Sequence, residues 1–148
     1  TIQTIRNFKT LEHRLEFVGK YDDVLYYDNS IATVPAAVIE AVKALENVDT
    51  LIIGGMDRGI DYSDFVDFLN SRSIENIVCM PKTGHDIAKR LNNGKAYVVN
   101  DLAEAVEVSK RVTKKGKSCL LAPAAASYGF FKNFEEKGDL YKKLVRGM

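Results

Sequence analysis

A glycine-rich segment carries the side chain best suited to binding a carboxylate. It reads Gly54-Gly55-Met56-Asp57-Arg58-Gly59 and follows the apolar run from Thr50 to Ile53. Glycines let a backbone approach a ligand closely, and a guanidinium binds a carboxylate through two parallel hydrogen bonds. The segment lacks the Gly-Lys-Ser/Thr ending of a nucleotide-phosphate loop. Arg58 is therefore a candidate anion ligand, and a plain surface turn is the alternative.

A second candidate site begins where the last apolar run ends. The sequence there reads Ala122-Pro123-Ala124-Ala125-Ala126-Ser127-Tyr128, and a charged, aromatic segment with Phe130 and Phe134 follows. Small residues allow a sharp turn, and Ser127 then stands where a helix N-terminus offers free N–H groups to an anion. The two phenylalanines are four residues apart, which is a helical spacing. The alternative to a place in this site is that they pack in the core.

A third polar segment, Asp28-Asn29-Ser30-Ile31-Ala32-Thr33, leaves a predicted strand and enters a predicted helix. Its hydroxyl and amide groups suit a phosphate or a carboxylate. The alternative is that Ser30 or Thr33 simply caps the helix that begins near Pro35.

Composition excludes several classes of protein. The chain has 21 Lys and Arg against 20 Asp and Glu, and without a basic stripe this balance disfavours nucleic-acid binding. No apolar run reaches the ~20 residues of a membrane span. Cys79 and Cys119 lie in apolar runs, which predicts reduced core thiols of a cytoplasmic protein. The two histidines, His13 and His85, match no zinc or haem spacing, so no metal site is expected within the chain.

The elements that position these segments alternate along the chain. Apolar runs at 15–18 and 24–27 around a polar turn at 19–23 predict an antiparallel hairpin. Further strands are predicted at 50–53, 77–80, 96–99 and 118–121, and helices begin near 35, 63, 85, 101 and 133. This alternation predicts an α/β fold with a doubly wound, mostly parallel, Rossmann-like sheet. Ligands bind at the carboxyl ends of such strands, and each candidate segment follows one of them.

Together with a fourth motif, these segments resemble those of the Mur ligase family, in the same order along the chain. Leu11-Glu12-His13-Arg14-Leu15-Glu16 resembles the family's Leu-x-His-Arg-x-Glu junction. The polar segment is similar to Asn-Asp-Ser-x-Ala-Thr, and the glycine segment to Gly-Gly-x-Asp-Lys/Arg-Gly. Residues 121–138 resemble the family's last motif. The resemblance covers the chain from about residue 11 to residue 138.

The resemblance also implies roles for individual residues. Those expected to bind the incoming D-glutamate are Thr33, Arg58, Ser127 and Phe134, and those expected to face the nucleotide are Arg14 and Asn29. Asn29 stands where the family usually has aspartate, Ile31 where a lysine often follows, and Lys137 where arginine is usual. No catalytic residue is expected within this chain.

The implied function is part of peptidoglycan precursor synthesis. Family members of this type use ATP and Mg²⁺ to convert the carboxylate of UDP-N-acetylmuramoyl-L-alanine to an acyl phosphate, which the amine of D-glutamate attacks. Residues 1–14 would be a linker from a missing central domain, and residues 15–148 the C-terminal amino-acid-binding domain. The expected partners are the enzyme's own N-terminal and central domains, without which the chain would be inactive.

Two other classes of protein remain as alternatives. A free-standing flavodoxin-like domain that binds a small anion or a protein partner would have the same alternating pattern. A phosphorelay receiver is disfavoured, because its central strand would end in a phosphorylatable aspartate and this one ends in Gly54-Gly55.

Overall fold

The computed structural model describes residues 14–45, 47–71, 74–92, 95–126 and 133–147. Within these ranges the chain forms six strands and five helices. The strands are β1 (Glu16–Tyr21), β2 (Val24–Asp28), β3 (Val48–Ile53), β4 (Asn76–Cys79), β5 (Ala96–Val98) and β6 (Ser118–Leu121). The helices are α1 (Pro35–Leu45), α2 (Ser63–Ser71), α3 (Thr83–Ala88), α4 (Leu102–Val112) and α5 (Phe134–Val145). None of these helices is long and apolar enough to cross a membrane.

The strands form one sheet in the order β1-β2-β6-β3-β4-β5. Strands β1 and β2 pair antiparallel, and every other neighbouring pair is parallel. The predicted α/β class, the mostly parallel sheet and the N-terminal hairpin are therefore confirmed.

The hairpin turn is shorter than the predicted turn at 19–23. Strand β1 continues to Tyr21, and the chain reverses at Asp22 and Asp23, whose φ angles are +52° and +64°. Two consecutive residues with positive φ are typical of a two-residue hairpin turn, and Asp tolerates this conformation better than most residues. A register shift between Phe17 and Gly19 accommodates the extra strand length.

Helices cover both faces of the sheet. On one face α1, α2 and α3 pack in a core with Val38, Phe65 and Ile87 at its centre. On the other face α4 and α5 contribute Val106 and Tyr141 to a second core. The side chains of Leu51, Ile52 and Ile53 in β3 alternate between the two cores, as the period of a strand requires. Both cysteines are free and buried, and burial raises the pKa of Cys79 to about 12.

Local capping explains where the two helices of the second core begin. Asp101 accepts a hydrogen bond from the Glu104 N–H at 2.8 Å, and the Glu104 carboxylate accepts one from the Asn100 N–H at 2.8 Å. These two reciprocal bonds form a capping box, at the helix start that the sequence predicts near residue 101. Helix α5 begins after Asn133, whose side chain accepts from the Glu136 N–H at 2.9 Å.

Candidate functional site

The three candidate segments lie side by side at one edge of the sheet. Strand β6 lies between β2 and β3, and the three strands run in the same direction. Their carboxyl ends therefore meet at a common edge, followed by residues 29–33, 122–126 and 54–58. Ligands bind at this edge in open parallel sheets. The structure thus brings together segments that lie far apart in the sequence.

Ala124 links the loop after β6 to the loop after β2. Its N–H donates to the carbonyl oxygen of Ala32 at 2.9 Å, and its φ is +59°. The buried hydroxyl of Tyr62 donates to the carbonyl oxygen of Ala124 at 2.7 Å. Burial raises the pKa of Tyr62, which keeps the phenol protonated as a donor. Positive φ is uncommon outside glycine, and here the residue is held from both sides.

The loop after β6 is also bonded to the glycine loop after β3. The Gly54 N–H donates to the carbonyl oxygen of Pro123 at 2.9 Å, and the Met56 N–H donates to that of Ala126 at 2.9 Å. A side chain at Gly55 would collide with the carbonyl oxygen of Ala126. The glycine therefore permits two backbones to approach each other closely.

A fourth loop, after β4, holds the glycine loop from the opposite side. The carbonyl oxygen of Gly55 accepts from the N–H groups of Lys82 and Thr83 at 3.0 and 3.1 Å, and the Gly55 N–H donates to the Thr83 hydroxyl at 3.0 Å. Helix α3 consequently begins at Thr83, two residues before the predicted start at residue 85. The contact is between residues remote in sequence, so local patterns could not reveal it.

Arg58 lies at the tip of the glycine loop, and its side chain is exposed. The carboxylate of Asp57 accepts from the Gly59 N–H at 2.9 Å, and Gly59 has a φ of +78°, so the chain turns immediately beyond the arginine. Among the described residues, Arg58 makes no hydrogen bond or salt bridge. Its guanidinium is available to an external anion.

The capping alternative for the polar segment is wrong. Helix α1 begins at Pro35, and the carbonyl of Val34 accepts from the Ala37 N–H, so neither hydroxyl occupies the cap position. Thr33 is half-buried. Ser30 is fully buried, and its hydroxyl is the one buried side-chain polar atom without a hydrogen bond in the described parts of the chain. Neither side chain is explained by a role at the helix end.

Arg14 and Asn29 line a common cavity of about 390 Å³, together with Ile31 and Glu40. Arg14 is exposed, whereas Asn29 is 5% exposed and its side-chain oxygen accepts from the Leu15 N–H at 3.1 Å. The structure therefore brings together the two residues expected to face a nucleotide. The side-chain oxygen of Asn29 is therefore already hydrogen-bonded to the backbone next to Arg14.

Of the two remaining predicted residues, Phe134 belongs to the described structure and Ser127 does not. Ser127 lies outside the described residues, as does Phe130. The residue before Ser127, Ala126, is bonded to the glycine loop. Phe134 is the first residue of α5 and is half-buried.

Lys137 is a residue of this edge that sequence reasoning did not place in the site. Its side chain is 1% exposed, and its ammonium donates to the carbonyl oxygen of Gly54 at 3.3 Å. Burial lowers the pKa of Lys137 from 10.5 to about 8. The lysine also lines a cavity of about 130 Å³ with Gly54, Met80 and Asp101. The family motif usually has arginine at this position, but the burial of Lys137 was not expected, because charged residues in helices are usually exposed.

Acidic side chains surround another small cavity near the glycine loop. Asp57, Asp61 and Asp86 line it together with Arg90, and its volume is about 210 Å³. Hydrogen bonds from Ser63 lower the pKa of Asp61. Within the described ranges, no group of three or more His, Cys, Asp or Glu residues is placed to hold a metal ion.

Comparison with known proteins identifies the family. The model of the family "Mur ligase, glutamate ligase domain" matches residues 13–125, which include the polar segment, the glycine loop and most of the loop after β6. The chain therefore belongs to the Mur ligase family. The resemblance found in the sequence motifs is confirmed.

Curated relatives of this Mur ligase domain are longer than the chain. It is 37% identical to the UDP-N-acetylmuramoylalanine--D-glutamate ligase of Caldanaerobacter subterraneus, over 96% of this chain and 32% of the relative. It is 36% identical to the UDP-N-acetylmuramoyl-L-alanine--L-glutamate ligase of Salinispora tropica, over 96% of this chain and 32% of that relative. The chain thus spans about a third of the relatives' length.

The Mur ligase fold is also found among solved structures. The MurF ligase of Thermotoga maritima, determined in complex with ADP, superposes with a TM-score of 0.62 at 19% identity. The match covers 94% of this chain and 32% of that one. At this identity the likeness establishes the fold.

Proposed function

We propose that this chain is the C-terminal, amino-acid-binding domain of an ATP-dependent ligase that adds D-glutamate to UDP-N-acetylmuramoyl-L-alanine. The observation that carries the proposal is the hydrogen-bonded edge at which the loops after β2, β3 and β6 meet, with the exposed Arg58 at its tip. The 37% identity to a D-glutamate ligase supports the choice of substrate. The N-terminal and central domains of the same enzyme would be its partners, in the cytoplasm.

In this proposal the chain binds and orients the amino acid. Arg58 forms a two-pronged pair with a carboxylate of glutamate, and the Thr33 hydroxyl and the Ser127 segment bind its other polar atoms. Phe134 supplies an apolar wall at the start of α5. Holding the amine close to the activated carboxyl carbon removes much of the entropic barrier to amide formation. No residue of this chain needs to exchange a proton in that role.

Arg14 and Asn29 are proposed to face the nucleotide. Arg14 supplies a positive charge at the mouth of their cavity, and anions such as phosphates are the ligands that a guanidinium prefers. The side-chain oxygen of Asn29 is bonded to Leu15, so its amide nitrogen is the group left to contact a ligand. An aspartate here would offer only acceptors, and the nucleotide contact therefore changes from acceptor to donor.

Magnesium is expected to bind elsewhere in the intact enzyme. The family resemblance assigns the magnesium ligands to the central domain, and no group of residues placed to hold a metal ion occurs among the described residues of this chain. When bound, Mg²⁺ would neutralise the ATP phosphates during formation of the acyl phosphate. The domain would act by closing onto the part of the enzyme that carries ATP, as lids do in many enzymes.

L-Glutamate is the second candidate substrate. The L-glutamate ligase of Salinispora tropica is 36% identical to this chain, nearly as similar as the D-glutamate ligase. Both enantiomers present the same carboxylates and amine, so an arginine clamp alone does not distinguish them. The choice depends on how the half-buried Thr33 and Phe134 restrict the α-carbon.

The test is a ligation assay of the full-length enzyme that carries this domain. ADP release with UDP-N-acetylmuramoyl-L-alanine should require D-glutamate, and L-glutamate should serve as the matched control. Arg58→Ala should raise the KM for D-glutamate about tenfold to a hundredfold, because a charge-assisted pair is worth about 1.5–3 kcal/mol. Arg58→Lys keeps the charge but cannot form two parallel hydrogen bonds, so it should raise the KM for D-glutamate less. An unchanged KM in Arg58→Ala would remove the arginine from the substrate site.

A further inference from the structure

The ammonium group of Lys137 lies inside the domain, where a lysine is rarely found. The side chain is 1% exposed although it belongs to the charged stretch that opens α5. Burying such a group is unfavourable unless it is hydrogen-bonded, and the bond to the Gly54 carbonyl at 3.3 Å meets that need. At neutral pH the group is mostly charged, since burial lowers its pKa only to about 8. The bond is therefore charge-assisted.

The Gly54 peptide is the point at which the glycine loop leaves the sheet. Its N–H is bonded to Pro123 on the loop after β6, and its carbonyl oxygen to Lys137 on α5. Gly54 has a φ of +127°, and a Cβ atom there would lie 2.6 Å from the carbonyl oxygen of Met80. The direction of the loop toward Arg58 is therefore set at this one residue, by partners on either side of it.

Helix α5 connects that point to Phe134, another of the proposed glutamate contacts. Phe134 and Lys137 are three residues apart, so they lie about one turn apart on the same side of the helix. Phe134 opens the helix at the proposed site, whereas Lys137 reaches the loop that carries Arg58. A rotation or shift of α5 would move Phe134 and release Gly54 together.

We propose that Lys137 is a positioning residue, which holds the glycine loop against α5 so that Arg58 and Phe134 meet the same glutamate. This inference rests on the proposed function, in which Arg58 and Phe134 bind the amino acid. Lys137 acts through the Gly54 carbonyl and does not itself touch the substrate. Lys137 should therefore affect the binding of the amino acid and not the binding of the nucleotide.

The experiment compares Lys137→Met with Lys142→Met in the full-length ligase. Methionine fills much of the space of the lysine stem but cannot donate to Gly54. Lys142 lies on the same helix with 10% side-chain exposure and pairs with Glu16 at 3.1 Å, away from the glycine loop. Lys137→Met should raise the KM for glutamate at least about tenfold, because a small misplacement of binding groups is costly. The KM for ATP should stay within about twofold, and Lys142→Met should change neither constant by more than that.

Two further variants separate positioning from other roles. Lys137→Arg retains a charged donor and should restore most of the affinity for glutamate. In an Arg58→Ala background, Lys137→Met should raise the KM for glutamate only slightly further, because both changes remove the same contact. Full additivity of the two effects would overturn the inference.

The outcomes also distinguish this inference from the proposed function. If Arg58→Ala leaves the KM for glutamate unchanged, the proposed site itself is wrong. If Arg58→Ala raises that KM and Lys137→Met does not, only the positioning role is wrong. A Lys137→Met protein that fails to fold would also refute it, since the lysine would then support the core as a whole; the melting temperature of each variant decides this.

Discussion

Replacing Gly55 with alanine should separate the glycine loop from the loop after β6. The added Cβ would collide with the carbonyl oxygen of Ala126 and lie 3.1 Å from the Cβ of Ala125. The obstructing atoms belong to the backbone or to its first side-chain carbon, so no rotamer change relieves the contact. The loop must move, and the hydrogen bond from Met56 to Ala126 at 2.9 Å would lengthen or break.

The expected loss of stability has two parts. Leaving a buried carbonyl such as that of Ala126 without its donor costs about 1–3 kcal/mol. Shifting closely packed backbone to admit one extra carbon costs typically 1–3 kcal/mol as well. These overlap, because the shift that relieves the collision is the one that breaks the bond. We expect Gly55→Ala to lower the free energy of unfolding by about 2–4 kcal/mol.

Urea unfolding of the 148-residue chain measures this effect, and Gly59→Ala provides the matched control. A Cβ at Gly59 meets no atom within 4 Å, so the control carries only the strain of a φ of +78°, about 1 kcal/mol. Equal destabilisation by the two substitutions would refute the close-approach reasoning. In the full-length ligase, Gly55→Ala should also raise the KM for glutamate, since Arg58 follows the displaced loop.

Two other substitutions test the supports of the same edge. Tyr62→Phe removes the hydroxyl that donates to Ala124 at 2.7 Å but keeps the ring. It should lower the free energy of unfolding in urea by about 1–2 kcal/mol. An unchanged unfolding midpoint would mean that this hydrogen bond contributes nothing to stability. The pKa of Lys137 is lowered to about 8, so the folded state releases this proton at a lower pH than the unfolded state does. The contribution of the lysine to stability therefore rises as the pH increases from about 8 to 10.5. The stability of the unsubstituted chain minus that of Lys137→Met should therefore be greater at pH 9.5 than at pH 7.5 by roughly 2 kcal/mol. A difference that falls with pH would indicate a lysine stabilised by an opposite charge.

The elements of the fold could be predicted because their signals are local. Helices α1, α4 and α5 begin close to residues 35, 101 and 133, as the sequence predicts. The start of α3 was predicted wrongly because a partner from elsewhere in the chain decides it. Helix α3 begins early because Thr83 is bonded to Gly55, a residue 28 positions away.

The candidate site was predictable only in part, for the same reason. The segments carrying Thr33 and Arg58 could be assigned to one edge of the sheet, because the order of strands and helices places them there. The burial of Lys137 could not be predicted, since its partner Gly54 is 83 residues away and a lysine in an amphipathic helix is normally solvated. A buried charge becomes visible only when the packing of α5 against the loops is known.

The structure gives a different reason for Gly54 and Gly55 from the one that the sequence suggested. In the sequence, Gly54 and Gly55 indicated a backbone that a ligand approaches. In the fold, Gly54 is required by its positive φ and by Met80, and Gly55 by the carbonyl of Ala126. Both glycines thus make room for neighbouring backbone, and the alanines of residues 122–126 do the same from the other side. In the proposed function, ligand contacts would therefore be made by the side chains beyond these points, foremost Arg58, and the small residues would determine where that side chain stands.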